Sequence, residues 1–378
     1  MGAPTTRLVL VAGLLALTAC QQQSPAGATA PSAVPATSAP TATPSQTVIA
    51  INDITGTTPT LRLVTLDGQQ VASTTLAPDA SVAGAGGDVA MFVEARGTLK
   101  ALRLNGSVVS LGTLSGRNGP VAVSPTGGAW MWATLSGAAG NYSSSIVLST
   151  RGGSDRALTT RSSPLLGFWP YRWTPGGPVY ADQRMGIDWH SPFGPPVGAS
   201  WRVDTQSGQV SSLLPDTCQI ADLAVDGTIA CFPSATPFSA SRSIRLQPPG
   251  GQPRDFPLTS PTFDQWGAVS FKPGSTVTVL AIGSGTVVSP GPPTDHPLQI
   301  HLLNAATGAL APLGPAGLEP ADGSWAWLHD GSLLAYRQVG VSGGAPGVYA
   351  VAPDGSTRRV YPSGIPIGVL TGPPGPGA

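Results

Sequence analysis

Carboxylates, the side chains most used for acid–base chemistry, are sparse in this sequence. Only two glutamates occur, Glu94 and Glu319, and they are far apart along the chain. Glycoside hydrolysis needs two carboxylates at a set separation, and these glutamates do not indicate such a pair. Several aspartates directly precede a glycine, and we interpret them as turn residues: Asp67, Asp226, Asp330 and Asp354.

Metal and cofactor sites are not indicated either. No pair of histidines has the spacing of zinc ligands on a helix. The sequence also has no phosphate loop and no dinucleotide-binding fingerprint, because its glycines fall at hairpin turns. We therefore expect no metal, no cofactor and no catalytic residue, and we favour a protein that is not an enzyme.

One stretch is rich in the side chains that binding surfaces use. Phe168, Trp169, Tyr171, Arg172 and Trp173 precede a long insertion between two strands, Gln183 to Ala199. Aromatic residues and arginine dominate interface hot spots and sugar-stacking platforms. For Trp169 and Trp173 the alternative is packing between repeat units, and for the loop residues both readings stay open. The candidate ligand-binding residues in the insertion are Arg184, Asp188, Trp189, His190 and Phe193.

Three cysteines divide into one near the N-terminus and two that flank a hairpin-like stretch. Cys218 and Cys231 enclose Ile220 to Ala230, which turns at Asp226-Gly227. An even number of cysteines in an exported chain favours a disulfide. We predict a bond between Cys218 and Cys231, with two free buried thiols as the alternative.

The first residues predict export. Arg7 precedes the apolar run Leu8 to Leu17, which is too short to span a membrane and suits a signal peptide. The next residues, Leu17-Thr18-Ala19-Cys20, resemble the lipobox of bacterial lipoproteins. The resemblance implies cleavage after residue 19, lipidation of Cys20, and anchoring to a membrane on its extracytoplasmic face, periplasmic or at the cell surface. An ordinary signal peptide with an incidental cysteine is the alternative.

Composition predicts four segments. We assign 1–19 to the signal peptide, 20–46 to the lipidated cysteine and a disordered Ala/Pro/Ser/Thr-rich linker, 47–370 to one folded domain, and 371–378 to a flexible tail. The linker has no charged and no aromatic residue, so it cannot bury enough apolar surface to fold. Its prolines make it an extended spacer.

The folded segment is all-β and repetitive. One pattern is a strand, a Pro/Asp/Gly turn and a second strand, as in Val121 to Trp130, Tyr171 to Tyr180 and Trp325 to Tyr336. A second pattern is an alternating strand that ends in a glycine turn, as in Leu61 to Gly68 and Ile300 to Gly308. Asp-Gly and Asn-Gly between alternating strands are strong hairpin signals. A recurrence every forty to fifty residues, roughly, indicates an array of such units.

The two patterns together resemble the repeat of TolB-type, WD-like β-propellers. The nearest matches to its Ser-Pro-Asp-Gly turn are Ser124-Pro-Thr-Gly, Thr174-Pro-Gly-Gly and His329-Asp-Gly. The resemblance covers nearly all of 47–370 and implies a propeller of four-stranded antiparallel blades. Two packed β-sandwiches are the alternative fold.

We count six full blades. The strands that remain at the two ends of the folded segment together have the number needed for one more blade. The full blades are predicted near 81–113, 120–160, 165–214, 220–258, 266–313 and 323–361. Three strands near 47–52, 61–66 and 71–76 precede them, and one strand near 365–370 follows. We expect these four to form a seventh blade, which closes the ring and removes its open edge.

These observations favour a membrane-anchored binding or scaffold module. Charged residues are only 10% of the chain and the formal net charge is zero, so we expect no nucleic-acid partner. We expect a monomer that binds a protein, a peptide or a cell-wall glycan, besides the membrane itself through the N-terminal lipid. The alternatives are a glycan hydrolase or lyase that uses aspartates of the central channel, and a structural or accessory lipoprotein.

Overall fold

The computed structural model describes residues 47–185, 198–233, 241–259, 265–272, 278–283, 298–321, 327–339 and 344–371. The predicted signal peptide, the predicted linker and residues 372–378 lie outside this range. Within it, helical structure is confined to one 3-10 turn, Ala95–Gly97, and the rest is strand, turn and irregular connection. No helix among these residues is long and apolar enough to cross a membrane.

The strands assemble into seven antiparallel sheets of four strands each. In hydrogen-bonded order, sheet 1 contains β28 (Ile365–Leu370), β1 (Val48–Asp53), β2 (Thr60–Thr65) and β3 (Gln70–Thr75). Sheet 2 contains β4 (Ser81–Gly86), β5 (Val89–Val93), β6 (Thr98–Arg103) and β7 (Val108–Thr113). Sheet 3 contains β8 (Arg117–Val123), β9 (Ala129–Ala138), β10 (Asn141–Thr150) and β11 (Arg156–Ser163).

The other four sheets follow the same order of consecutive strands. Sheet 4 contains β12 (Leu166–Thr174), β13 (Gly177–Arg184), β14 (Ser200–Val203) and β15 (Val210–Leu214). Sheet 5 contains β16 (Cys218–Leu223), β17 (Ile229–Pro233), β18 (Ser243–Gln247) and β19 (Arg254–Pro257). Sheet 6 contains β20 (Gln265–Phe271), β21 (Thr278–Gly283), β22 (Leu298–Leu303) and β23 (Leu310–Pro312). Sheet 7 contains β24 (Glu319–Pro320), β25 (Leu333–Arg337), β26 (Gly347–Val351) and β27 (Thr357–Tyr361).

Six sheets are thus built from consecutive strands, and sheet 1 joins the two ends of the described chain. In sheet 1, Val48 lies opposite Leu370 and Asn52 lies opposite Ile365. This pairing is the one that the leftover strands predicted. It covers an edge that would otherwise present unpaired N–H and C=O groups.

The apolar clusters run around the ring, and each fills the junction between neighbouring sheets. The junction of sheets 5 and 6, for example, contains Ala221, Ile244, Phe256 and Phe271. Other clusters fill the junctions from sheet 1 to sheet 5 and from sheet 6 through sheet 7 back to sheet 1. Middle strands such as β5 are buried at every position, because both of their faces pack against a neighbouring sheet. The molecule is therefore an all-β propeller and not a pair of sandwiches.

The ring has two different faces. We call the face that carries the turns between the first and second strands of each sheet the turn face. We call the opposite face, which carries the connections between second and third strands, the loop face. The predicted turn aspartates are confirmed: Asp226, Asp330 and Asp354 each accept a hydrogen bond from the backbone N–H two residues later, at 2.8–2.9 Å.

Close backbone approach explains several glycines of the turn face. A Cβ on Gly86 would lie 2.2 Å from the carbonyl oxygen of Ser124, and one on Gly127 would lie 2.3 Å from the carbonyl oxygen of Gly86. Gly127 also has a φ of +62°, which side chains disfavour. The backbones of sheets 2 and 3 therefore approach each other here with no room for a side chain at either glycine.

Arginines of three outer strands reach across to the next sheet near the turn face. Arg254 of β19 donates to the carbonyls of Ala305 and Ala306 in sheet 6, both at 2.8 Å. Arg156 of β11 makes the equivalent contacts to Thr205 and Ser207 in sheet 4, both at 3.4 Å. Arg358 of β27 donates to the carbonyl of Leu66 in sheet 1. We call these three contacts the arginine clasps.

Some predicted boundaries were wrong. The blade predicted at 120–160 extends from Arg117 to Ser163, because β9 and β10 are ten residues each and project beyond β8. The blade predicted to begin at 323 begins instead with β24 at Glu319–Pro320, which pairs with β25 at Tyr336 and Ala335. The turn sequences marked the middle of each unit and carried no signal for where its strands end.

Candidate functional site

The predicted ligand-binding loop is only partly described. Arg184 is the last residue of β13 and is exposed at the loop face. Asp188, Trp189, His190 and Phe193 lie outside the described residues, so their role stays a prediction. What the structure does describe is the root of this insertion, from Met185 on one side to Gly198 on the other.

Backbone hydrogen bonds fix both ends of the root. The Met185 N–H donates to the carbonyl of Leu165 at 2.7 Å, which ties the outgoing end to the connection between sheets 3 and 4. The Gly198 N–H donates to the carbonyl of Asp182 at 2.8 Å, and the Asp182 N–H donates to the carbonyl of Ala199 at 2.9 Å. The insertion therefore leaves and rejoins a fixed framework.

An ion pair between two sheets lies beneath this root. The Arg161 guanidinium of β11 contacts the Asp182 carboxylate of β13 at 2.7 Å, and its centre lies 4.4 Å from the centre of the Phe168 ring. Burial raises the pKa of Asp182, Arg161 opposes that shift, and the nearby Asp216 carboxylate adds to it. Because Asp182 also holds Gly198 and Ala199 through its backbone, this ion pair stabilises the residue on which the insertion is mounted.

The aromatic residues before the insertion belong to the framework. Phe168 lies edge-on to Tyr180 with ring centres 5.2 Å apart, and Tyr180 stacks on Trp201 at 5.2 Å. Burial raises the pKa of the Tyr180 hydroxyl. Trp173 is also buried, and the Trp169 ring lies so close to Gly119 that a Cβ there would be 2.8 Å from it. Packing between sheets therefore accounts for Trp169 and Trp173.

The surface over this framework is apolar. Leu165 is 53% exposed, so most of its aliphatic side chain can contact a partner. Beside it, the side chains of Met185 and Leu135 flank Gly167, where a Cβ would lie 2.9 Å from the Met185 sulfur and 3.6 Å from Leu135. We call Leu135, Leu165, Arg184 and Met185 the root site. Its position was predicted only through Arg184, because the other three residues have no distinguishing sequence pattern.

A second polar set joins three first strands in the turn-face half of the ring. Arg172 of β12 donates to the carbonyl of Val269 in β20 at 3.2 Å and to the Tyr171 hydroxyl at 3.1 Å. The Tyr171 hydroxyl in turn donates to the carbonyl of Ala221 in β16 at 3.3 Å. These contacts connect sheets 4, 5 and 6, so Tyr171 and Arg172 have structural partners here.

Asp222 is a further member of the polar set that contains Tyr171 and Arg172. The sequence analysis did not identify it as a functional or structural residue. Its side chain has no solvent exposure and accepts hydrogen bonds from the N–H of Phe271 at 2.7 Å and of Leu223 at 2.9 Å. Burial raises the pKa of Asp222 to about 6, although the neighbouring Arg172 and the two N–H donors oppose that shift. The signal was available: a carboxylate that follows Ile220 and Ala221 within a strand should be buried, and a buried carboxylate needs partners.

The described first strands do not form a carboxylate pair suited to hydrolysis. They carry Asp222 and Glu319, which belong to two non-adjacent sheets, near the end of β16 and at the start of β24. Glu319 is buried and accepts hydrogen bonds from the Tyr336 hydroxyl at 2.5 Å and the Gln338 amide at 3.0 Å. Within the described residues no cluster of metal-ligating side chains occurs either.

One short hydrolase-like pattern occurs elsewhere. Residues 340–344 read Gly-Val-Ser-Gly-Gly and fit Gly-x-Ser-x-Gly. A nucleophile elbow needs a strand-to-helix turn. This pattern instead connects the antiparallel strands β25 and β26, and most of it lies outside the described residues. It does not indicate a nucleophile.

The predicted disulfide is confirmed. Cys218 at the start of β16 is bonded to Cys231 in β17, with Cα atoms 5.6 Å apart. The hairpin turn at Asp226-Gly227 brings the two strands together as the sequence indicated.

No protein-family model and no curated protein matches this sequence. Among solved structures, TolB from Acinetobacter baumannii is 17% identical with a TM-score of 0.42, and the match covers 70% of this chain and 62% of TolB. Acylaminoacyl peptidase from Pyrococcus horikoshii is 11% identical with a TM-score of 0.53, over 84% of this chain and 51% of the peptidase. Prolyl oligopeptidase B from Galerina marginata is 9% identical with a TM-score of 0.52, over 86% and 52%.

The two peptidase matches show a shared fold and no more. This chain spans 62% of the length of the TolB protein and about half of each peptidase. The common part is a β-propeller, and function belongs to sites on a fold and not to the fold itself.

Proposed function

We propose that this protein is a bacterial lipoprotein, anchored through Cys20 on the extracytoplasmic side of a membrane, whose propeller binds a protein or peptide partner at the loop face. The anchor rests on the sequence Leu17 to Cys20 and the apolar run before it. Acyl chains add about 0.8 kcal/mol per buried methylene, so several chains hold a protein on a bilayer.

The root site carries the binding proposal. It combines exposed aliphatic surface with a framework that is fixed by the Arg161–Asp182 ion pair and by backbone hydrogen bonds at both ends of the insertion. A preorganised surface loses less conformational entropy when a partner binds. The four remaining candidate binding residues fall in 186–197, between Met185 and Gly198 in the sequence.

A crosslinking pull-down from native envelope, read by mass spectrometry, tests the site. We expect Leu165→Asp to reduce recovery of the partner by roughly tenfold, because a charge would be placed in an apolar contact. Val225→Asp is the matched control, since Val225 is 75% exposed but lies on the turn face. Equal recovery with both variants would contradict the location. If no protein is recovered, cell-wall glycans are screened next as the partner.

The anchor has a separate test. Replacing Cys20 with alanine removes the thiol that takes the lipid. We expect the variant to leave the membrane fraction and to lose incorporation of labelled palmitate. A Cys20→Ala protein that is still labelled and still sediments with membranes would rule out this anchor.

A further inference from the structure

Asparagine followed by glycine occurs twice in this chain, at Asn105-Gly106 and at Asn118-Gly119. Such a pair can react within itself, because glycine has no side chain to shield its backbone nitrogen from the amide of the preceding residue. The nitrogen attacks the side-chain amide carbon, a ring closes and ammonia leaves. In a folded protein the rate of this reaction depends on how easily the backbone opens at each site.

Asn105 lies in the exposed turn between β6 and β7. The N–H of Ser107 donates to Asn105 Oδ1 at 3.0 Å, and the Ser107 hydroxyl donates to the same oxygen at 2.7 Å. These two donors stabilise the negative charge that the oxygen gains when the amide carbon is attacked. The Gly106 N–H donates to the carbonyl of Arg103 at 3.0 Å, and this bond must open before the nitrogen reacts. In an exposed turn such opening costs little free energy.

Asn118 is held more firmly. It belongs to strand β8, opposite Ala133 in β9. The next residue, Gly119, lies against the Trp169 ring of sheet 4, where a Cβ would be 2.8 Å from the ring, and its carbonyl accepts a hydrogen bond from Arg117 at 2.8 Å. Ring closure at Asn118 therefore requires an opening of sheet 3 and of its contact with sheet 4.

The turn between β26 and β27 shows how an aspartate would fit in place of Asn105. It reads Asp354-Gly355-Ser356, and Asp354 accepts hydrogen bonds from the Ser356 N–H at 2.9 Å and the Ser356 hydroxyl at 2.7 Å. The φ values of the two glycines also match, +81° for Gly106 and +83° for Gly355. The Ser356 hydroxyl and N–H lower the pKa of Asp354, so this turn geometry favours a carboxylate.

We propose that Asn105 is a site of spontaneous deamidation and that its aspartate product keeps the native turn. The Gly106 nitrogen loses its proton and bonds to Asn105 Cγ, the bond from Cγ to Nδ2 breaks, and Nδ2 leaves as ammonia. Water then opens the ring. Opening at Cγ gives aspartate, whereas opening at the main-chain carbonyl of residue 105 gives isoaspartate, whose longer backbone no longer matches the turn. Either product adds a negative charge to a chain whose formal net charge is zero.

Trypsin separates the two sites for measurement, because it cleaves after Arg103 and Arg117 and leaves Asn105 and Asn118 in different peptides. The purified protein is kept in mildly alkaline buffer, and mass spectrometry follows the conversion of amide to acid in each peptide. We expect Asn105 to convert about tenfold faster than Asn118, since opening a strand costs more than opening an exposed turn. Equal rates, faster conversion of Asn118, or no conversion of Asn105 would overturn the proposal.

Two further measurements isolate the effect of the fold and the fit of the product. In protein unfolded by urea, Asn105 and Asn118 should convert at similar rates, because glycine follows both. A difference that persists in urea would overturn the role assigned to the fold. The Asn105→Asp variant should keep the thermal transition of the wild type, because the hydrogen bonds from Ser107 are retained as they are at Asp354. A lower transition temperature would overturn the fit of the aspartate product.

Discussion

The two faces of the ring are built differently. In the turn-face half, sheets are joined by buried or backbone-level contacts: the Asp222 carboxylate on the Phe271 N–H, the approach of Gly86 to Ser124, and the arginine clasps. In the loop-face half, the Arg161–Asp182 ion pair joins sheets 3 and 4, and the exposed Leu165 lies in the connection between the same two sheets.

We interpret this difference as a division of roles, in which the turn-face half stabilises the ring and the loop face binds the partner. A ring of similar sheets needs specific contacts that hold neighbours in order, and the turn-face half contains several of them. Longer connections can vary in sequence without disturbing strand pairing, which is why binding residues are commonly found on them. Changes in the turn-face half should therefore alter stability and leave capture of the partner intact, and changes at the root site should do the opposite.

The largest expected effect is at Asp222. Replacing it with alanine leaves the Phe271 N–H without its acceptor and removes the carboxylate beside Arg172. We expect a loss of about 3 kcal/mol in the free energy of unfolding, measured by denaturant titration. The matched control is Asp226→Ala in the exposed turn of the same sheet, for which we expect about 1 kcal/mol. Equal losses in the two variants would contradict a linking role for Asp222.

The pH dependence of stability sharpens this test. The pKa of Asp222 is about 6 in the folded protein and 3.8 without the fold. The folded state therefore binds the proton more tightly, so stability is gained as the pH falls through 6 and lost as it rises. Between pH 7 and pH 5 we expect a gain of about 1 kcal/mol in the wild type that is absent from Asp222→Asn. A variant with the same pH profile as the wild type would show that Asp222 is not the titrating group.

The sequence predicted the architecture well because turn chemistry repeats. The Asp-Gly and Pro-Gly turns recur from unit to unit, and the leftover strands at the two ends pointed to the pairing of Val48 with Leu370. The Cys218–Cys231 bond was predicted in the same way, because the turn at Asp226-Gly227 brings the two cysteine-bearing strands together. Strand ends were less predictable. Nothing in the local sequence shows that β9 continues beyond Thr134, which lies opposite Arg117 at the start of β8, or that β10 begins before Ser145.

The contacts between sheets could not be read from the sequence. Arg161 and Asp182 meet only because the outer strand of sheet 3 lies beside sheet 4, and Asp222 meets Phe271 across 49 residues. The aromatic crowding at 168–173 was read as a sign of binding, but most of those side chains form the framework. The exposed apolar surface is supplied by ordinary residues such as Leu165, whose exposure depends on the fold alone.

The smallest expected effect is at the arginine clasps. It compares the contributions of individual turn-face contacts to the free energy of unfolding. Arg254 contacts two carbonyls at 2.8 Å and lies over the Phe256 ring at 4.7 Å, whereas Arg156 contacts two carbonyls at 3.4 Å. We expect Arg254→Ala to lower the free energy of unfolding by about 1 kcal/mol, and Arg156→Ala by less, because hydrogen bonds weaken with length. Thermal unfolding of the two variants side by side measures the difference.

If Arg156→Ala were the more damaging, the clasps would not act through these carbonyl contacts, and the contrast between the faces would rest on Asp222 and the glycine turns. Recovery of the partner should stay at the wild-type level in both variants, because neither arginine lies near the root site.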